Sequence, residues 1–397
     1  MAEEFDFIVV GKGMMGAAAG RHLARSGARV ALVGPDEPAD WQRHDGVFAS
    51  HYDNGRITRT IDPDPVWARL ARRSIERYGE IAEQSGIEFY GEVGCLLAAP
   101  APGGESDYIG NVIDARDRLG VVAPYLDAAV LSETFPYFSF PAGYGGIFEA
   151  RGAGHINPRA LVKAQVAAAG KAGARIVSQE VVSICEETDG VRVETAEGQA
   201  LKAARILIAA GGFSISRKLF PRPLNLVVKG RTVLFAEVSD ADLERLAAMP
   251  SLIVAGRVQD ENFYLLPPVL YPDGRHYIKI GGDPTDLPMK DEAAARDWFR
   301  GEGSRPAADH IARLFAEVMP SFTPVSTHIA PCVTTYTPHG YPVIGFTGGD
   351  RIAVVTGGNG TAAKSSDEIG RLGASLVLNG VLDADEYETD FAVSYRE

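Results

Sequence analysis

The chain opens on a short apolar run that leads into three spaced glycines, FDFIVVGKGMMG at residues 5–16. The run is rich in β-branched and aromatic residues, which is typical of a buried parallel strand. A helix of small residues, AAAGRHLARSG, follows and ends at Gly27, and a second strand is predicted over 28–33. Strand, turn, helix and strand within about 30 residues form the βαβ unit of a dinucleotide site.

Each glycine of the pattern has a physical reason. Gly11 permits the tight turn, Gly13 lets the backbone approach a pyrophosphate, and Gly16 lets the helix pack closely on the strand. The helix start then offers unpaired N–H groups, around Met14 and Met15, to the phosphates. The pattern therefore predicts that a dinucleotide binds at this turn.

One expected feature of the motif is missing. An acidic residue at the end of the second strand normally binds the ribose hydroxyls, but this chain has Gly34 there. Two alternatives stay open: Asp36 or Glu37 reaches the ribose from the loop, or backbone groups bind it. The motif alone therefore leaves both FAD and NAD(P) open, although no arginine for a 2′-phosphate lies between Arg29 and Arg43.

The 397-residue chain carries a formal net charge of −13, 46% hydrophobic residues and three cysteines. This size suits two packed domains. The negative charge disfavours nucleic acid and anionic membranes as partners, and the cysteine spacing predicts neither disulfides nor a metal site. The acidic start and the lack of a long apolar window predict a cytoplasmic protein without signal peptide or membrane span. The oligomeric state stays open.

Further along the chain, helical patterns cover about 66–86, 155–173, 292–318 and 365–379, and residues 225–290 have the pattern of an antiparallel sheet. Nucleotide-domain character returns after this β-rich region. We predict a discontinuous nucleotide-binding domain of residues 1–90, 150–215 and 326–397. Residues 91–149 and 216–325 are predicted to form the substrate-binding domain.

Five further segments carry a family resemblance: SHYDNGRITR at 50–59, IAAGG at 208–212, YIKIG at 277–281, CVTTYT at 332–337 and GNG at 358–360. With the glycine motif, and in this order, they resemble the D-amino-acid oxidase-like family of flavoproteins. Within that family the chain is most similar to the monomeric sarcosine oxidase and N-methyl amino acid oxidase branch.

The resemblance implies an α/β fold, in which a Rossmann-type FAD-binding domain with a parallel sheet holds an inserted α+β substrate domain on a largely antiparallel sheet. It implies FAD as cofactor and an oxidase of a secondary or N-substituted, amino-acid-like amine. A hydride would leave the carbon next to nitrogen, the imine would hydrolyse, and oxygen would be reduced to hydrogen peroxide. A small-molecule amine and oxygen are then the expected partners.

The motif and the resemblance together assign a set of residues to the cofactor. The resemblance further implies that one of them, a cysteine, carries the flavin as an 8α-thioether, whereas an isolated cysteine also fits a small buried hydrophobe. The set is Gly11, Gly13, Met14, Met15, Gly16, Asp36, His51, Arg56, Val181, Ala210, Gly211, Cys332 (the cysteine in question), Gly358, Asn359, Gly360 and Thr361.

The resemblance also implies catalytic and substrate-binding residues. Lys279 would lie over the flavin and activate oxygen, whereas strand alternation alone predicts that it faces solvent. Arg59 would bind a substrate carboxylate with its bidentate fork, the alternative being a surface charge. Tyr264 would line the substrate cavity or serve as a core aromatic. Lys364 would be a second carboxylate ligand, but it is displaced from the family's position and a surface location is the alternative.

Other functions fit parts of the sequence. One is an FAD-dependent dehydrogenase of an amino or hydroxy acid that passes electrons to a quinone or a carrier protein. Another is an NAD(P)-dependent dehydrogenase, disfavoured by the antiparallel insertion. A third is a non-catalytic subunit that only retains flavin, which the presence of Arg59 and Lys279 disfavours.

Overall fold

The computed structural model describes residues 2–103, 106–220 and 222–397. Its strands are β1 (Glu3–Val10), β2 (Val30–Val33), β3 (Arg56–Thr58), β4 (Tyr90–Gly91), β5 (Cys95–Pro100), β6 (Tyr125–Leu126), β7 (Tyr144–Glu149), β8 (Gly154–Ile156), β9 (Arg175–Val177), β10 (Val181–Glu187), β11 (Gly190–Thr195), β12 (Ala200–Ile208), β13 (Val227–Glu237), β14 (Ser251–Val254), β15 (Phe263–Leu265), β16 (Val269–Leu270), β17 (His276–Gly281), β18 (Leu287–Pro288), β19 (Thr327–Tyr336), β20 (Val343–Phe346) and β21 (Ile352–Thr356).

The α-helices are α1 (Met14–Arg25), α2 (Pro65–Ile75), α3 (Tyr78–Ser85), α4 (Tyr108–Leu119), α5 (Ala128–Thr134), α6 (Pro158–Lys171), α7 (Asp240–Arg245), α8 (Glu292–Arg300), α9 (Arg305–Val318) and α10 (Ser366–Asn379). In the described parts of the chain, no helix has the length and apolar character needed to cross a membrane.

The first sheet is the nucleotide-binding sheet that the opening motif predicts. Its order is β10-β11-β12-β1-β2-β9, with β21 beside β12 and β20 beside β21. The β1–β2, β1–β12, β2–β9 and β12–β21 pairs are all parallel. All four residues of β2 are buried, as expected for a parallel strand covered on both faces.

Helix α1 packs closely because its residues are small. Gly16, Ala17, Ala18 and Ala19 are buried along it. Helix α10 approaches α1 so closely that a Cβ built on Gly370 would lie 2.5 Å from the carbonyl oxygen of Met15. The α1–α10 contact therefore depends on glycine at the crossing.

The second sheet has the order β18-β13-β17-β15-β14-β5-β7-β6, with β16 beside β17 and β19 beside β13. Its pairs are antiparallel except β5–β14, which is parallel. A parallel sheet joined to a largely antiparallel one is the predicted α/β fold class, which is thereby confirmed. The two-domain division stays a prediction; β19, which that division assigns to the nucleotide-binding domain, hydrogen-bonds to β13 in the second sheet.

A small third sheet, β3-β8-β4, joins the loop 50–55 to the rest of the protein. Its strand β3 begins at Arg56, which pairs with Ile156 of β8. Helix α2 then begins after its N-cap Asp64, whose side chain accepts hydrogen bonds from the backbone N–H groups of Val66 and Trp67. This sheet fixes the segment that carries both candidate arginines.

Candidate cofactor cleft and active site

A cleft of about 1380 Å³, counting the part open to solvent, lies at the carboxyl ends of the parallel strands. Parallel α/β sheets bind their ligands at this edge. The cleft is lined by residues 10–15, 33–35, 47–52, 209–213 and 332–335, and by Arg56, Glu180, Val181, Leu219, Thr356, Gly357, Gly358, Gly360, Ala362 and Ala363.

The three motif glycines occupy the positions that the motif demands. Gly11 has a φ of +106°, and a Cβ there would lie 2.3 Å from the carbonyl oxygen of Ala209. A Cβ on Gly16 would lie 1.9 Å from the carbonyl oxygen of Gly11. Gly13 is the N-cap of α1 and faces space, with its nearest neighbour, His51 Nδ1, 3.8 Å from a built Cβ. The turn therefore leaves room for a ligand only beside Gly13, at the helix start.

The absence of an acidic residue for the ribose at the end of β2 has a steric cause. A Cβ on Gly34 would lie 2.7 Å from the backbone nitrogen of Lys12, so the place where an acid normally stands has no room for a side chain. Of the two loop acids, Asp36 contacts the Lys12 ammonium, and Glu37 accepts two 2.7 Å hydrogen bonds from Arg159. The assignment of Asp36 to the cofactor stays a prediction.

Orphaned polar atoms in the cleft wall fit a polar ligand. His51 Nδ1 and Thr334 Oγ1 are buried and have no hydrogen-bond partner among the described residues. Burial, together with the nearby Arg159 and Arg56 charges, lowers the pKa of His51 to about 3, so the imidazole is neutral. Because buried polar atoms are normally hydrogen-bonded, these two indicate a polar group that completes the wall.

The other residues assigned to the cofactor divide into two groups. Met14, Met15, Val181, Ala210, Gly211, Gly358 and Gly360 line the cleft. Asn359 and Thr361 do not: the Asn359 side chain binds the backbone of Thr337 and Gly357, at 3.0 and 2.7 Å, and shapes the loop instead. With φ +49° at Asn359, this side chain holds the loop in a left-handed turn beside the cleft.

Arg56 and Cys332 lie together in the cleft wall. Arg56 Nη2 is 2.9 Å from the carbonyl oxygen of Ser50 and 3.6 Å from Cys332 Sγ. The structure thus brings the predicted attachment residue and a cation together.

Lys279 is fully buried, so the exposure that strand alternation predicts is wrong. The loop 53–55 covers this face of the sheet: Lys279 Nζ donates to the Gly55 carbonyl oxygen at 2.9 Å and to the Asp53 carboxylate. Burial and the adjacent Arg56 guanidinium lower the pKa of Lys279 well below its ordinary value. Asp53 also contacts Arg56, so one carboxylate links Lys279 to the cleft wall.

Tyr264 lies beside Lys279 rather than in the cleft wall. The Lys279 ammonium is 5.8 Å from the centre of its ring, within cation–π range. A Cβ on Gly281 would lie 2.5 Å from that ring, so the strand leaves space for it. The substrate role of Tyr264 stays a prediction.

Arg59 and Lys364 are also buried, and neither is the surface charge that the alternative interpretation expects. Arg59 Nη2 and Lys364 Nζ each lie 2.9 Å from the same oxygen, Oδ2 of Asp62. Neither cation lines the cleft. The structure therefore brings the two predicted carboxylate ligands together, but on a carboxylate of the protein itself.

Two carboxylates of the site, Asp53 and Asp62, were not predicted from the sequence. A signal was present, because each stands three residues from an arginine, at Arg56 and Arg59. That spacing is equally common on protein surfaces, and only the fold shows that these acids are buried.

No cluster of metal-ligating side chains occurs in the described ranges.

A family model described as FAD dependent oxidoreductase matches residues 6–376. The chain belongs to this FAD-dependent oxidoreductase family. FAD is therefore the cofactor, and the NAD(P)-dependent alternative is wrong. The cleft fits FAD, because glycines leave space at the start of the helix and buried polar atoms without hydrogen-bond partners lie in the wall. The protein is therefore a redox enzyme.

Curated relatives of this oxidoreductase lie at low identity. Monomeric sarcosine oxidase of a Bacillus species is 24% identical over 391 residues, which cover 97% of this chain and 95% of the relative. N-methyl-L-tryptophan oxidase of Citrobacter koseri is 28% identical over 210 residues, and that match spans only about half of each chain, 52% and 54%. The predicted resemblance to the sarcosine oxidase branch is confirmed.

Two solved structures have the same fold as this chain. NikD, an unusual amino acid oxidase essential for nikkomycin biosynthesis, aligns with a TM-score of 0.77 at 20% identity, covering 99% of this chain and 98% of that one. Glycine oxidase from Geobacillus kaustophilus aligns with a TM-score of 0.72 at 21% identity over the full length of both chains. The oxidoreductase thus has the fold predicted from its sequence.

Proposed function

We propose that this flavoenzyme oxidises a secondary or N-substituted amine at the carbon next to nitrogen and reduces oxygen to hydrogen peroxide. FAD, when bound, would supply the two-electron acceptor for the hydride that leaves this carbon. The observation that carries the proposal is Lys279, a buried cation held by Gly55 and Asp53 beside Arg56 in the cleft wall. Two relatives are named for oxidation of N-methyl-L-tryptophan and of sarcosine, which supports an N-substituted amine.

The protein groups around Lys279 explain how it would act on oxygen. Electron transfer to oxygen develops negative charge, and a fixed cation in a site with little water stabilises that charge strongly. Asp53 and the Gly55 carbonyl hold the ammonium in place, so no reorganisation is needed when the charge develops. Asp53 also favours the protonated lysine, against the effect of burial.

A second function is a dehydrogenase that passes electrons to a quinone or a carrier protein. The specific observation in its favour is the same Asp53 carboxylate, which offsets part of the Lys279 charge.

The test that distinguishes the two functions is an anaerobic screen of the purified yellow protein with N-methyl amino acids, cyclic imino acids and glycated amines. Bleaching of the flavin followed by peroxide on admission of oxygen supports the oxidase. Bleaching without peroxide supports the dehydrogenase, and no bleaching by any amine removes both.

Replacement of Lys279 by methionine tests the assigned role. We expect reoxidation of the reduced enzyme by oxygen to slow about 100-fold or more, because one preorganised electrostatic contact is lost. Anaerobic reduction by substrate should change far less. Both rates are measured by stopped-flow absorbance of the flavin. The control is Lys202→Met, a half-buried lysine of β12 that pairs with Asp189, and equal slowing of both half-reactions by Lys279→Met would reject the role.

We also propose that Cys332 carries the FAD through an 8α-thioether. The bond replaces the thiol hydrogen and one hydrogen of the flavin methyl group, and the two electrons released reduce the flavin, which oxygen then reoxidises. The position of the sulfur supports the proposal, because Cys332 lines the cleft and its Sγ lies 3.6 Å from Arg56 Nη2.

Acid precipitation of the protein distinguishes a covalent from a dissociable flavin. We expect the yellow colour to stay with the wild-type pellet and to pass into the supernatant for Cys332→Ala. The matched control is Cys185→Ala, which removes an exposed cysteine and should leave the colour in the pellet. Release of flavin from the wild-type protein would show that attachment does not occur.

A further inference from the structure

Four buried ionisable side chains form a cluster behind the cleft wall, which we call the Asp62 cluster. It consists of Arg59, Asp62, Glu149 and Lys364. Arg59 Nη2 and Lys364 Nζ both donate to Asp62 Oδ2 at 2.9 Å. Glu149 accepts hydrogen bonds from the N–H groups of Thr60, at 2.9 Å, and Ile61, at 3.0 Å.

The cluster adjoins the cleft through two chain segments. Strand β3 begins at Arg56, which lines the cleft, and Arg59 follows one residue after the strand ends. On the other side, Ala362 and Ala363 line the cleft and Lys364 comes next. Lys364 is therefore the chain neighbour of a residue that forms the wall, and Arg59 is three residues from another.

Asp62 is held in place by its surroundings. Its second oxygen, Oδ1, accepts a 3.1 Å hydrogen bond from the backbone N–H of Asp64, and Pro63 and Pro65 restrict the backbone that follows it. Burial alone would raise the pKa of Asp62, but the Lys364 and Arg59 charges hold this pKa below its ordinary value. The carboxylate is thus ionised and oriented at these two cations.

The formal charges of the cluster balance, with two cations facing two carboxylates. Buried arginine and lysine side chains are receptors for carboxylates in general, but here the protein supplies the carboxylate. A substrate carboxylate would add a negative charge beside Asp62, and like charges in a buried site are unfavourable. Arg59 Nε is buried without an acceptor among the described residues. This single N–H group can donate to one neutral oxygen of a substrate.

We propose that Asp62 takes the place of a substrate carboxylate at Arg59 and Lys364. The amine oxidised by this enzyme therefore carries a neutral group, an amide or an alkyl group, where an amino acid carries its carboxylate. Asp62 is then the residue that determines this specificity. The inference rests on the proposed function for the oxidation of an amine, and it adds which amines are accepted.

Anion binding tests the inference without turnover. The yellow wild-type protein is titrated with acetate and with acetamide, and binding is followed by the flavin difference spectrum. We expect acetate to bind no more tightly than acetamide. In Asp62→Asn the two cations lose a matching charge, so acetate should bind about tenfold more tightly than to the wild-type protein. Saturable binding of acetate to the wild-type protein that Asp62→Asn leaves unchanged or weakens would overturn the inference.

Matched substrates give a second measurement. Initial rates of flavin reduction are compared for N-methylglycine and N-methylglycinamide, and for proline and prolinamide. We expect the wild-type enzyme to prefer the amide of each pair, and Asp62→Asn to shift kcat/KM toward the carboxylate about tenfold. A wild-type preference for the carboxylate would contradict the inference. If no amine reduces the flavin, the proposed function fails, while the acetate titration still judges the role of Asp62.

Two further variants are needed, one in case Asp62→Asn does not fold and one as a control for acetate binding. Asp62→Asn leaves two buried cations facing one carboxylate, Glu149, and an unbalanced buried charge destabilises a fold. The double variant Asp62→Asn with Lys364→Met removes one cation as well and should fold where the single variant does not. Asp6→Asn, which removes an acid that pairs with Arg29 at the protein surface, is the matched control and should leave acetate binding unchanged.

Discussion

The Gly16→Ala protein is expected to be purified without flavin. A methyl group at residue 16 would lie 1.9 Å from the carbonyl oxygen of Gly11, which is backbone and cannot rotate away. Helix α1 must then shift from the end of β1, and the shift moves the N–H groups that are predicted to bind the pyrophosphate. We expect occupancy, measured as flavin absorbance relative to protein absorbance after gel filtration, to fall below a tenth of the wild-type value, since misplaced phosphate contacts cost several kcal/mol.

The matched control for this substitution is Gly110→Ala. Gly110 lies within α4, and nothing stands within 4 Å of a Cβ built there. Alanine in the middle of a helix is favoured over glycine by about 1 kcal/mol, so this variant should be slightly more stable and fully yellow. A Gly16→Ala protein with normal flavin content would show that the helix can shift without loss of the site.

The second large effect is expected at Asp367, where α1, α6 and α10 meet. Its carboxylate accepts hydrogen bonds from Arg21 at 3.0 Å, Gln165 at 2.7 Å and Arg77 at 2.5 Å. Arg21 is fully buried. Asp367→Asn keeps the size but removes the charge, and an uncompensated buried cation costs about 3–5 kcal/mol. Against a total stability of about 5–15 kcal/mol, this is a large loss.

Urea unfolding followed by tryptophan fluorescence measures the effect. We expect the midpoint of the Asp367→Asn protein to fall markedly, with both forms compared after saturation with FAD. The surface acid Asp6, which pairs with Arg29, gives the control, since exposed ion pairs contribute little. An unchanged midpoint for Asp367→Asn would mean that Glu368, which also binds Arg77, compensates Arg21 as well.

The sequence predicted the parts of the fold that local patterns determine. The glycine motif with its strand and helix sufficed for the first βαβ unit, and helices were expected where α2, α3, α6 and α10 lie. The second strand was expected from Ala28 but begins at Val30. Such boundaries depend on hydrogen bonds to neighbouring strands, which a single sequence does not show.

The candidate site was less predictable, because its charges are balanced by residues distant in the chain. Alternation along β17 could not indicate that the loop 53–55 covers Lys279, 224 residues away in sequence from Gly55. Nor could the sequence show that Lys364 and Arg59 share Asp62. The steric reason for Gly34, the backbone of Lys12, is likewise visible only in three dimensions.

The composition of the cleft wall has a consequence for the biosynthesis of the holoenzyme. The wall is assembled from segments that begin at Val10 and end at Ala363. A nascent chain that has emerged only through β1, α1 and β2 has the phosphate turn but not the loops opposite it. The predicted FAD site is therefore complete only after residue 363 has been synthesised and has packed against the first strands, so cofactor loading is expected to follow translation of all these segments.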